Sequence, residues 1–120
     1  MTEIATDSLE QLRQRLAEFA AARDWDQFHS PKNLAMALIA ESAELIEHFQ
    51  WLTEEQSRCL STAKKQAVSY ELADILIYLI RIADKLDIDL ITSAQIKIQL
   101  NEARYPVERV KGDARRADEY

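Results

Sequence analysis

Apolar residues recur at helical spacing through most of this chain. Leu9, Leu12, Leu16 and Phe19 make one stripe, the spacing of a helix with one buried face. Asp7 or Ser8 can cap it, with Gln11 completing a capping box from Ser8, so the pattern predicts a helix over about 8–23. The rhythm breaks at ARDWDQFHSP. Ser30 followed by Pro31 is a start signal: a side-chain cap, then a proline at the first helical position. A second helix is expected over about 31–52. Its Leu34, Leu38, Ser42, Leu45, Phe49 and Leu52 fall within roughly 40° of one line. Thr53 with Gln56 starts a short turn through Cys59. A third helix is expected over about 62–87, with a core stripe of Val68, Leu72, Ile75, Leu79, Ile82 and Leu86. Asp89 or Thr92 can cap a fourth helix. Tyr105-Pro106 ends it near Arg104, because the residue before a proline disfavours the α region.

One glycine and two prolines among 120 residues leave little turn chemistry. An all-β or glycine-loop fold is thereby disfavoured, and an all-α, four-helix-bundle-like core is expected. The organisation expected is a flexible tail at 1–6, one domain at 7–105 and a polar tail at 106–120. A core this small gains from self-association. The third helix carries a second apolar arc, Tyr70, Ala73, Ile77 and Ile80, which points to a homo-oligomer.

The net charge of −6 speaks against a nucleic-acid partner, which needs a basic face. The single Cys59 cannot form an internal disulfide and is expected to be inert, which makes a reducing cytoplasm the expected compartment. MTEIATDSLEQL has neither a basic start nor an apolar run, so no signal peptide is expected. ILIYLI, the longest apolar run, is too short to span a membrane.

Charge becomes informative by its placement. No lysine or arginine occurs from Asn33 to Ser57, yet AESAELIEHFQW carries three glutamates. At 100° per residue, Glu41 and Glu44 lie about 60° and 120° to one side of the core stripe, with His48 between them. Glu47 faces solvent. On the third helix Glu71 and Asp74 take the same offsets, with Tyr78 between them. Four converging carboxylates repel unless protons or a cation compensate. An all-oxygen set selects a hard cation, Mg²⁺, Mn²⁺ or Ca²⁺. The competing reading is that these are flank charges that meet lysine or arginine from elsewhere. Lys97, Asn101 and Arg104 share a face of the fourth helix, and Lys64 and Lys65 precede the third. A cation cluster opposite such a stripe suits phosphate-bearing ligands; a solvated helix face is the plainer alternative. Trp25 and Trp51 stand at element ends, as hydrophobic plugs or as stacking surfaces for a planar ring. His29 and His48 are not expected to bind metal, since a di-iron bundle repeats Glu-x-x-His on two helices.

ExxEL at 41–45 followed by ELADILIYLI at 71–80 resembles the MazG-type all-α nucleoside triphosphate pyrophosphohydrolases. FAAARDWDQFHSPKNLAMAL, FQW and NEARYPV are similar to the dCTP pyrophosphatase branch. The likeness covers about residues 9–107. It implies hydrolysis between the α and β phosphates, giving the monophosphate and pyrophosphate. It implies Mg²⁺ (Mn²⁺ as a substitute) on the acids that map to Glu41, Glu44, Glu71 and Asp74, which make up the catalytic set. Phosphate contacts map to Lys97, Asn101, Arg104 and Tyr105, and Trp25, Trp51 and Tyr78 surround the nucleotide. The implied assembly is a tetramer built as a pair of dimers. Leu16 departs from the branch, whose vertebrate-type members carry a histidine there that helps to recognise the base. Leucine cannot hydrogen-bond a ring edge, so the preferred base stays open. The rival from another class is a catalytically silent helical module that binds nucleotides or proteins.

Overall fold

The computed structural model describes residues 8–119. The tail expected at 1–6 lies outside them. Every regular element among the described residues is helical: α1 (Leu9–Ala22), α2 (Pro31–Glu47), α3 (Glu54–Arg58), α4 (Thr62–Lys85), α5 (Leu90–Arg104) and α6 (Val107–Val110), then a 3₁₀ turn at Ala117–Glu119.

The helix starts follow from local hydrogen bonds. Ser8, Ser30, Thr53, Ser61 and Asp89 each accept a backbone N–H three residues on, satisfying donors that the first turn leaves unpaired. Thr53 and Gln56 close the full capping box. The box expected at α1 is only half formed: Ser8 caps, but Gln11 Oε1 has no partner. α1 ends in a Schellman motif. Asp24 sits at φ 54°, the Asp24 N–H reaches Ala21 O, and the Trp25 N–H reaches Ala20 O. α2 stops at Glu47, before the expected 52, where Phe49 and Gln50 both donate to Ile46 O. The chain must turn there because Thr53, extended at ψ 164°, already caps the next helix.

The chain divides into two compact units, one ending at Asp87 and one beginning at Ile88. In the first, α4 packs on both α2 and α1. Ala20, Leu34, Val68, Ile80 and Ala83 are its buried apolar residues, one or more from each of these helices. The α2 stripe is as expected, with Leu34 2% exposed and Leu38, Ser42, Leu45, Phe49 and Leu52 partly covered. The α4 stripe is not. Leu72, Leu79 and Leu86 are 51%, 39% and 50% exposed, whereas Ile80 from the opposite arc is buried. α4 is apolar around most of its circumference, so periodicity could not say which arc would face inward. The covered line instead runs through Val68, Glu71, Asp74, Tyr78 and Arg81. The acids therefore lie on the inward face of α4 and not at its border.

The second unit carries α5, α6 and the 3₁₀ turn. Asp89 caps α5 and the Tyr105 N–H closes it on Asn101 O. No helix among the described residues is long and apolar enough to cross a membrane.

Candidate metal centre

Glu41 and Glu44 stand one turn apart on α2, and the packing of α4 brings Glu71 to them. One carboxylate oxygen from each lies within 4.8 Å of the others. Glu41 and Glu71 are half-buried and Glu44 is exposed. Asp74, half-buried one turn beyond Glu71, is not within that set, but its negative charge bears on Glu41.

Two observations bear on the choice between a cation site and flank charges awaiting a basic partner. Oε2 of Glu41 and Oε2 of Glu71 are both buried and accept no hydrogen bond. Buried carboxylate oxygens without donors are costly. Two cations of α4 are also engaged elsewhere: Arg81 with Asp26 and Asp84, Lys85 with Asp26. Glu71 Oε1 has His48 Nε2 at 4.0 Å, too long for a hydrogen bond. An all-oxygen donor set with two orphaned oxygens fits a hard divalent cation.

The electrostatics agree. Burial, then hydrogen bonding with Glu44 and Glu71, then the charges of Glu44 and Asp74 push the Glu41 carboxyl from 4.5 to about 7. The raised value reports the cost of placing the Glu41 charge beside the other carboxylates with no cation to offset it. Burial, then the charges of Glu41 and Asp74, likewise raises the Tyr78 phenol above its ordinary value.

Trp25 stands on the α1–α2 connection, 42% exposed, its indole meeting Phe19 edge-on with centroids 5.7 Å apart. Trp51 is 86% exposed in the turn after α2. Leu16 is half-buried on α1. Lys97, Asn101 and Arg104 are exposed on α5. Tyr105, its half-buried C-cap, has the Arg104 guanidinium 5.7 Å from its ring. These four residues belong to the second unit.

Sequence reasoning passed over Arg81. It is 3% exposed and ties the α1–α2 connection to α4. The available signal was one cation inside the apolar run LIYLIRIAD, with Asp84 one turn on. It passed over the approach of His48 to Glu71 as well, although 100° per residue puts that ring between Glu41 and Glu44.

The sequence profile of the MazG-like family matches residues 37–119. dCTP pyrophosphatase 1 from Bos taurus is 44% identical over 109 residues, 89% of this chain and 64% of that protein. The Homo sapiens protein of the same name is 40% identical over 114 residues, 93% of this chain and 67% of that one. The chain thus spans about two thirds of the length of these relatives. A crystal structure of a pyrophosphatase from Archaeoglobus fulgidus superposes with a TM-score of 0.79 at 36% identity, covering 88% of this chain and 99% of that one.

Proposed function

The chain belongs to the MazG-like family, and from that membership and its acidic cluster we propose that it is a metal-dependent nucleoside triphosphate pyrophosphohydrolase. The proposed reaction cleaves between the α and β phosphates and releases the monophosphate and pyrophosphate. The observation that carries it is the trio Glu41, Glu44 and Glu71, with two buried oxygens that no protein donor satisfies. These three residues with Asp74 are proposed to hold Mg²⁺, or Mn²⁺ in its place. Bound there, the cation supplies positive charge for phosphate oxygens and acidifies water.

The protein's own groups are assigned as follows. A carboxylate of the cluster accepts the proton of the water that attacks the α-phosphorus in line. Lys97 and Arg104 offset the charge of the departing pyrophosphate, and Asn101 and Tyr105 complete the phosphate contacts. Trp25, Trp51 and Tyr78 form walls for the nucleotide; the exposure of both indoles leaves ring surface for a base. The proposed substrate is dCTP or a modified dCTP, named from the relatives, and the proposed role is house-cleaning of a cytoplasmic nucleotide pool.

A homo-oligomer, with a tetramer of paired dimers as the expected form, is part of the proposal. Its support is the apolar surface that α4 leaves open at Tyr70, Leu72, Leu76 and Leu79, which are 64%, 51%, 40% and 39% exposed.

Product analysis tests the chemistry. [α-³²P]dCTP with Mg²⁺ should give labelled dCMP, with unlabelled pyrophosphate as the other product. Labelled dCDP with free phosphate would refute α–β cleavage. Glu44→Gln should abolish turnover with the helical fold kept; unchanged turnover would return the acids to the status of surface charges and favour the silent module.

A further inference from the structure

Arg81 is a charged side chain only 3% exposed, set in an apolar stretch of α4. A buried guanidinium is tolerated only when its donors are spent, and these are. Nη2 donates to Asp26 Oδ1 at 2.9 Å and lies 3.2 Å from His29 Nδ1. Nη1 donates to Asp84 Oδ2 at 3.3 Å. Lys85, one residue from Asp84, sends Nζ to the same Asp26 oxygen at 2.7 Å. Two cations of α4 thus converge on one carboxylate of the α1–α2 connection.

That carboxylate is the neighbour of Trp25. The Trp25 backbone is held on both sides: its N–H bonds Ala20 O at 2.9 Å, and its carbonyl accepts from Phe28 and His29 at 2.8 and 3.1 Å. Its indole lies edge-on to Phe19 and 6.1 Å from the His29 ring. Arg81 stands on the line of α4 that carries Glu71, Asp74 and Tyr78. The connection bearing Trp25 is therefore bolted by directional bonds to the helix that bears the acids. Apolar residues in place of the whole ion-pair set would serve packing as well or better. A guanidinium fork fixes one orientation of the loop, which packing alone does not.

We infer that Asp26 and Arg81 are positioning residues for nucleotide binding: the pair holds Trp25 where its ring can stack on the base. The inference rests on the reading of Trp25 as a base wall. Neither residue touches the reacting atoms.

The test is a double-mutant cycle in the full chain, with Trp25→Ala, Asp26→Ala and the double variant. Asp26 is 45% exposed, and its removal leaves Arg81 with Asp84 and His29; unchanged circular dichroism of Asp26→Ala checks that the helical fold is kept. The readouts are the Kd of a non-hydrolysable α,β-imido analogue of dCTP with Mg²⁺, and kcat and KM for dCTP. Trp25→Ala should weaken the analogue about tenfold, the scale of one stacked base. Asp26→Ala should weaken it about fivefold with kcat within about twofold of wild type, and the double variant should be no worse than Trp25→Ala. Asp26→Asn, which keeps the shape and an acceptor, should recover part of the loss. A wild-type Kd in Asp26→Ala, or losses that multiply to about fiftyfold in the double variant, would overturn the tether. A wild-type Kd in Trp25→Ala would overturn the base wall and the tether with it. The binding pattern without any turnover would uphold the tether and sink the pyrophosphohydrolase reading.

Discussion

Replacing Glu41 with glutamine should make the metal-free protein more stable while removing its activity. Glu41 Oε2 is buried without a donor, and oxygens of Glu44 and Glu71 lie within 4.8 Å. Its carboxyl is pushed from 4.5 to about 7, chiefly by burial. The sign follows from where protons sit. Between pH 4.5 and about 7 the folded protein keeps a proton that the unfolded chain releases. Stability from this group is therefore full below pH 4.5 and is lost as pH rises through about 7. Unscreened, the penalty on the charged form would be roughly 3 kcal/mol. Glu41 is partly open to water, and screening reduces this to about 1–2 kcal/mol. Glutamine keeps the shape and carries no charge. In EDTA at pH 8, Glu41→Gln should melt about 4–8 °C above wild type, and at pH 4.5 the difference should vanish. Mg²⁺ should then raise the Tm of wild type and not of the variant, since ligand binding stabilises only a competent site. Thermal denaturation followed by circular dichroism at the two pH values, with and without Mg²⁺, measures all of this. A variant less stable than wild type in EDTA at pH 8, or a difference independent of pH, would refute the account of the cluster.

The proposed oligomer rests on the apolar arc of α4. Leu72→Lys with Leu76→Lys should give a smaller particle by light scattering, because two charges cannot be buried in a subunit contact; an unchanged mass would remove this arc from the interface. Ser30→Ala removes the side-chain cap that accepts from the Asn33 N–H at 3.1 Å. It should cost about 1 kcal/mol and leave kcat alone, read by denaturant titration and steady-state rates. Arg81→Met leaves Asp26 with Lys85 and Asp84 with Arg13. Its destabilisation should stay near 1–3 kcal/mol, below the range for a wholly unpaired buried charge. A larger loss in urea unfolding would show that those surviving partners do not compensate.

The elements were legible because their signals are local. A cap oxygen reaches an N–H three residues away, so Ser8, Ser30, Thr53 and Asp89 announce helix starts in any tertiary setting. The exit of α2 carried no such mark. HFQW reads as more helix, and the chain turns there only because the next cap must be extended. The acids were legible for a similar reason: one fixed rotation per residue puts Glu41 beside Glu44 and Glu71 beside Asp74.

The sequence by itself determined an all-helical chain with paired carboxylates on two helices and no basic residue near them along the chain. Only the tertiary structure decided which arc of α4 turned inward. A helix apolar around most of its circumference offers several arcs of similar burial energy, and its neighbours choose among them. That choice drew Glu71 to within reach of Glu41 and Glu44 and left two oxygens without donors. It also buried Arg81 against partners 52 and 55 residues distant, beyond any helical repeat. Local hydrogen bonding and rotation fix what a segment becomes. The pairing of distant charges is set by packing, which no single segment encodes.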